Sequence, residues 1–349
     1  MSSRRKFLKK SIIIPSIMIL PRHVLGGKGY TSPSDKLNIA GVGVRKWGMG
    51  SGNLSSCETE NIVALCDVDH KLSAETFNKY PKAKVYKDFR VMLETQKDID
   101  AVIVATPDHT HAIISMMSIK LGKHVFCQKP LTHTVYEARV ITETARKYKV
   151  QTQMGNQGRS SEEIRRLKEW IDDGAIGPVR KVYAWTDRPV GGNPWDTFDA
   201  KAKPKEKPPI PKDLDWDLWL GPAKYRNYHP SYHPNSWRAW IDFGTGSMGD
   251  MGCHIIDPSF YALELGAPSE IQATSTHWIP EVESQTYPSA SIVRMKFPKR
   301  GNHPELELTW SDGRILPPIP EEFKDTDKFT LSGAMIIGDK GKIIHDSHG

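Results

Sequence analysis

Leu37-Asn38-Ile39-Ala40-Gly41-Val42-Gly43-Val44-Arg45-Lys46-Trp47-Gly48-Met49-Gly50 is the stretch on which the fold turns. An apolar run enters a cluster of glycines. Such a run reads as a buried strand, and glycines behind it let the backbone approach a pyrophosphate seated at the start of the next helix. The spacing is not the simple G-x-G-x-x-G. After Gly41 and Gly43 the third glycine, Gly48, arrives late, as in a longer loop. Asp67 adds a second signal. It ends the apolar run 61–67, 24 residues after Gly43, where an acid binds ribose hydroxyls and repels a 2′-phosphate. Together they favour NAD over NADP. The alternative is a tight strand–helix turn beside a surface aspartate.

Working outward, strand and helix alternate. Residues 37–43 and 61–67 read as strands and 69–80 as a helix. Residues 101–106, Ala-Val-Ile-Val-Ala-Thr, show β-branched residues without alternation, the mark of a parallel strand covered on both faces. A helix follows over 112–121, then a strand (124–127), a helix (135–148) and a strand (150–154). Repeated βα units predict a doubly wound parallel sheet. Ser160 to Glu163 reads as a capping-box start, with a helix through Ile164, Leu167 and Ile171 to Gly174. From Lys181 the texture changes: residues 189–234 hold nine prolines, and six of the ten tryptophans lie from Trp185 to Trp240. That composition predicts an ordered insertion, not a linker. A helix through about Leu265 is followed by strand-like segments at 270–277, 290–297, 306–310, 329–331 and 342–344, giving a sheet-rich second domain.

Three further motifs carry chemistry. Ala105-Thr106-Pro107-Asp108-His109-Thr110-His111 lies at the carboxyl end of a parallel strand, where such sheets bind ligands. Asp108 is a candidate helix cap, and His109 and His111 are candidates either for structure or for cofactor contact. Cys127-Gln128-Lys129-Pro130-Leu131 lies at another strand's carboxyl end, where a lysine can give or take a proton beside a hydride acceptor. The chain must turn there with the lysine facing inward, so Lys129–Pro130 is expected to be cis. In Gly249-Asp250-Met251-Gly252-Cys253-His254-Ile255-Ile256-Asp257, one helix would set Asp250, His254 and Asp257 on a common face. A histidine there can accept a hydroxyl proton and an acid can orient it. A helix cap with a core histidine, or a metal site from Asp250, His254 and Asp257, would use the same residues.

The order of glycine loop, Asp67, Ala105-Thr106-Pro107 with His111, and Lys129-Pro130 resembles the Gfo/Idh/MocA oxidoreductase family, and Asp250-x-Gly252-x-His254 resembles that family's helix start. The family's Glu-Lys-Pro stands here as Gln128-Lys129-Pro130, which removes a charge near the cofactor and keeps the lysine. The resemblance spans roughly residues 37–345. It implies an α/β protein: a Rossmann-type domain (37–158), then an α/β domain (159–349) with a large open, mostly antiparallel sheet whose free face makes homo-oligomers. It also implies that Lys129, Asp250 and His254 surround the reacting carbon of a carbohydrate, without a metal. NAD would be met by Gly41, Gly43, Gly48, Asp67, Thr106, Pro107, His109, His111, Gln128 and Lys129. Relatives usually run on past the position of Gly349, so the chain is expected to be truncated.

The N-terminus points to export. The net charge is +7, but residues 1–27 contribute six basic residues and no acid, leaving +1 for the rest and no general footprint for nucleic acid. Arg4-Arg5-Lys6-Phe7-Leu8 before a short apolar run resembles a twin-arginine signal, with 28–36 as linker. That implies the export machinery as a partner and a periplasmic location. Cys57, Cys66, Cys127 and Cys253 form no C-x-x-C pair and are expected to be free thiols. Outside the cytoplasm no NAD pool is dependable, so the nucleotide is expected to be tightly held and regenerated within each cycle. Oxidation of a sugar or polyol hydroxyl is the leading expectation. A glycosidase working by transient oxidation, elimination and re-reduction is the alternative, and a non-catalytic sugar-binding protein a second. Trp195, Trp237 and Trp240 are candidates to stack on a sugar face.

Overall fold

The computed structural model describes residue 32 and residues 35–189, 204–276, 285–323 and 329–347. The signal segment 1–27, most of the linker, Trp195 and the last two residues lie outside the described residues. Described elements run in chain order as β1 (Asn38–Val42), α1 (Met49–Ser55), β2 (Asn61–Cys66), α2 (His70–Lys79), β3 (Lys84–Tyr86), α3 (Phe89–Thr95), β4 (Ala101–Val104), α4 (Asp108–Lys120), β5 (His124–Gln128), α5 (Val135–Tyr148), β6 (Thr152–Gly155) and α6 (Glu162–Asp172). They continue with β7 (Val179–Trp185), α7 (Trp216–Leu220), α8 (Gly246–Ile255), α9 (Asp257–Ala262), β8 (Glu270–Ser275), β9 (Ser291–Phe297), β10 (Leu306–Ser311), β11 (Gly333–Gly338) and β12 (Lys342–Asp346).

The first sheet has the order β3-β2-β1-β4-β5-β6, with every pairing parallel. The strand order reverses between β1 and β4, and the crevice outside their carboxyl ends is where such sheets bind ligands. Ala40, Val42, Val102 and Val104 are buried in its core. The second sheet has the order β12-β11-β7-β10-β9-β8; β7 and β10 run parallel and the other pairs antiparallel. Leu167 and Ile171 of α6, Met251 and Ile255 of α8 and Ala262 of α9 bury against Val182, Leu308 and Trp310 on one face of it. Between the sheets lies a third core of Trp216, Trp219, Tyr232, Trp237, Trp240 and Phe243, so the Pro- and Trp-rich insertion is ordered over its described part. No helix among the described residues is long and apolar enough to cross a membrane.

Several local readings are corrected. Helix α4 begins at Asp108, not Ala112, and Pro107 is its N-cap; Asp108 sits in the first turn and accepts from Thr245 Oγ1. The capping residue of α6 is Ser161, whose partner is the amide of Ile164, an apolar residue that cannot bond back. The reciprocal box is at Thr134 and Glu137, which start α5. Strand β7, which carries the charged pair Arg180 and Lys181 near its start, was not read, and the strand expected over 329–331 lies instead at β11. The single helix expected through Leu265 is two helices. Pro258 has no amide proton to give and opens α9, so Asp257 leaves the face of Asp250 and pairs with Arg159 at 2.9 Å. The three groups of the metal alternative therefore do not converge, and no such cluster of ligating side chains occurs among the described residues. All four cysteines are free.

Candidate active site

The glycine loop is built by close approach. Gly43 has φ +80°, and a Cβ there would stand 2.7 Å from the Ala105 carbonyl at the end of β4. Gly50, inside α1, packs so tightly that a Cβ would stand 2.0 Å from Gly43 O. Gly50, then, is the glycine that lets helix and strand close up, and Gly48 is the N-cap of α1. The inserted residues 44–47 displaced the count in the sequence. Asp67 follows β2 and is buried. Its Oδ2 accepts from Val44 N at 2.8 Å and its Oδ1 from Asp69 N at 3.0 Å. Burial holds its carboxyl above the usual range, against the pull of these amides.

Gly43, Gly48, Asp67, Thr106, Pro107, Gln128 and Lys129 all line one cleft that is open to solvent. Gly41 stands under the loop, where a Cβ would meet Val44 at 2.8 Å. Gln128 donates Nε2 to Asn53 at 2.8 Å, while its buried Oε1 lacks a partner among the described residues. A bound N–H or O–H would satisfy it. The cradle, the acid and the orphaned acceptor fit NAD.

His109 and His111 are turned away from this cleft. His111 lies 2.8 Å from both the Pro130 and Thr106 carbonyls, and His109 lies between the Phe243 and Trp219 carbonyls at 3.2 and 3.0 Å. Burial pushes the His109 imidazole down to about 4. Burial works against the charge of His111 too, but Cys127, Asp108 and the Pro130 carbonyl outweigh it and raise that ring to about 9. Both rings clamp backbone. His109 ties α4 to the insertion.

Lys129 and Asp250, 121 residues apart, do meet. The Lys129–Pro130 bond is cis, as expected. Lys129 Nζ donates to Asp250 Oδ1 and to Asp250 O, each at 2.7 Å. Arg188 Nη1 donates to Asp250 Oδ2, and Arg238 Nε lies 3.4 Å from Oδ1. Burial would raise the Asp250 carboxyl, but Lys129, Arg238 and Arg188 hold it far below the usual range. His254, one turn further along α8, is buried, and the cleft lining includes Lys129 but neither Asp250 nor His254.

The sequence reading missed Arg45, Asn53, Arg188, His233 and Arg238. Arg238 lies between Trp237 and Trp240, and its guanidinium sits 4.1 Å over the Trp237 ring. Nothing local in sequence marks that arginine as a partner of Asp250. Trp237 lines the cleft as well as joining the aromatic core, whereas Trp240 belongs to that core and not to the cleft lining.

Comparison with known proteins agrees with the geometry. Residues 37–156 match the family model for the NAD-binding Rossmann fold of the Gfo/Idh/MocA oxidoreductases, and residues 160–280 match the model for their C-terminal alpha/beta domain. A levoglucosan dehydrogenase of Pseudarthrobacter phenanthrenivorans is 25% identical over 62% of this chain and 46% of its own. A D-glucoside 3-dehydrogenase of Escherichia coli is 30% identical over 61% of this chain and 50% of its own. The chain spans about half the length of the curated relatives it matches. Among solved structures, GenD2 from gentamicin A biosynthesis, in complex with NAD, has a TM-score of 0.62 at 17% identity, covering 94% of this chain and 75% of its own. Levoglucosan dehydrogenase with NADH and levoglucosan has a TM-score of 0.58 at 19% identity, covering 89% and 73%. At such identities these structures establish the fold alone.

Proposed function

Because this chain belongs to the Gfo/Idh/MocA oxidoreductase family, we propose that it moves a hydride between NAD and a hydroxyl carbon of a sugar or polyol. The observation that carries the reading is the Lys129–Asp250 contact at the rim of a glycine-built cleft. The named activities of the relatives, on levoglucosan, inositol and glucosides, support the substrate class.

Bound NAD would supply the hydride acceptor. The chain's own residues do the rest. Gly43 and Gly50 bring the backbone close to the dinucleotide, and Asp67 stands at the ribose position. An ammonium has three N–H donors, and Asp250 takes two of those of Lys129. The third is left for the oxygen of the substrate. As the hydride leaves the carbon, that position on the neutral amine takes the hydroxyl proton, so the ammonium formed faces the new carbonyl oxygen, and the reverse direction returns the proton from it. Asp250 fixes the lysine, and Arg188 and Arg238 keep Asp250 ionised. The reading is tested by denaturing purified protein and assaying the released nucleotide and its redox state, then by turnover on a panel of sugars and polyols. Absence of both bound nicotinamide nucleotide and NAD-linked turnover would overturn it.

The Arg4-Arg5 segment supports export of the folded, NAD-loaded protein to the periplasm. Arg4→Lys with Arg5→Lys is expected to leave the protein in the cytoplasmic fraction. Unchanged periplasmic yield would remove this part of the reading.

A further inference from the structure

The insertion does more than fill the space between the sheets. Leu218, Trp219, His233, Pro234, Trp237 and Arg238 form one wall of the cleft whose other wall carries Gly43, Asp67, Thr106 and Lys129. Contacts pin that wall at successive points. At the acid end, His233 Nε2 lies 2.9 Å from Asp69 Oδ2, with each side chain 10% exposed. Midway, Arg45 of the glycine loop donates Nη1 to Asn235 Oδ1 at 2.8 Å and to Pro234 O at 3.2 Å. At the lysine end, Arg238 reaches Asp250. Residues 233–238 thus run along the cleft, from Asp69, two residues past Asp67, to Asp250, the partner of Lys129.

We propose that residues 233–238 are a latch over the dinucleotide, and that its anchors at His233, Asn235 and Arg238 set how slowly the nucleotide leaves. The proposal rests on reading the cleft as the NAD site. Two features make the wall stiff. Behind it, Arg226 is buried beside Tyr232, Trp240 and Phe243 and is ion-paired with Asp242. Beneath it, the insertion is stitched to the Rossmann domain by the Asp69–Leu214 bridge, by His70 N to Asp213 O at 3.2 Å, by Asp215 N to Val68 O at 2.9 Å, and by His109. A stiff wall cannot peel back one residue at a time, so its anchors must break together for release. Two guanidiniums, Arg45 and Arg238, also face the same cleft, and an anionic pyrophosphate between them would relieve their repulsion.

The test uses the full chain loaded with NADH and chased with excess NAD, following the loss of NADH fluorescence. Wild type should release slowly. His233→Ala and Asn235→Ala should each release about tenfold faster, the rate equivalent of one charge-assisted hydrogen bond. The variants remove different anchors, so if His233→Ala does not fold, Asn235→Ala carries the test. Release from both at the wild-type rate would overturn the latch while leaving the cofactor reading intact. Wild type that takes up no NADH would overturn the cofactor reading, and the latch with it.

Discussion

Asp250 is a carboxylate 5% exposed that faces Lys129, Arg188 and Arg238 at once. Its low pKa in the folded state means its stabilising contribution is present above the unfolded carboxylate range and is lost as pH falls below it. Removing the charge at neutral pH is worse, because it strands the cations. Asp250→Asn is therefore expected to destabilise the fold by about 3–5 kcal/mol in chemical denaturation. A loss under 1 kcal/mol would mean that the cluster is solvated and the clamp weak. Lys129→Ala should lower kcat by about 10²–10⁴ while NADH stays bound, since the lysine acts on substrate oxygen and not on the dinucleotide. Loss of NADH binding in step with kcat would reassign Lys129 to the cofactor. Asp67→Ser should narrow the preference for NAD over NADP in direct binding titrations, because a carboxylate repels the 2′-phosphate. Equal affinity of wild type for both would refute that role.

At the scale of elements, the sequence announced those parts whose signals are local. Five of the six parallel strands of the first sheet read correctly, β1, β2 and β4 because they are apolar runs ending in glycine, acid and Thr-Pro, whereas the three-residue edge strand β3, Lys-Val-Tyr, carries no such run. Lys129 was legible because it follows β5 and precedes a proline, and Asp250 because glycine and histidine recur beside it, although it lies within α8 and not at its start. Arg188 and Arg238 were not, because an arginine 62 or 12 residues from its carboxylate leaves no mark in spacing. His109, just past the carboxyl end of a strand, is open in sequence to a structural role or to cofactor contact alike. Only the packed structure reveals that its nitrogens meet carbonyls of the insertion. That clamp titrates. The folded-state pKa of His109 is depressed to about 4, so its contribution is full above the unfolded value near 6.5 and is lost as pH falls through 4. Denaturation midpoints of wild type should fall between pH 6.5 and 4 by more than those of His109→Gln, a difference of up to about 3 kcal/mol. Parallel pH curves would show that His109 does not carry the acid sensitivity.

At the scale of the whole molecule, two sheets have separate cores, and the insertion, with an aromatic core of its own, supplies the second wall of the Rossmann domain's cleft. Neither domain alone makes the site, since Gly43, Asp67 and Lys129 stand on one side and Trp237 and Arg238 on the other. A ligand that touches both walls binds the native state and not the unfolded one, so it stabilises both domains together. At a hundred times its Kd, NAD should add about 2.7 kcal/mol. For a chain of this size that is a rise in Tm of about 4 °C. Scanning calorimetry should show one transition that moves as a unit with NAD concentration. With His233→Ala and Asn235→Ala combined, the wall is freed at two anchors. The NAD-dependent rise should then shrink, and the second domain should begin to melt ahead of the first. A wild-type profile in which NAD moves only part of the heat absorption would mean that the dinucleotide is held by the Rossmann domain alone, with the insertion a bystander at the cleft.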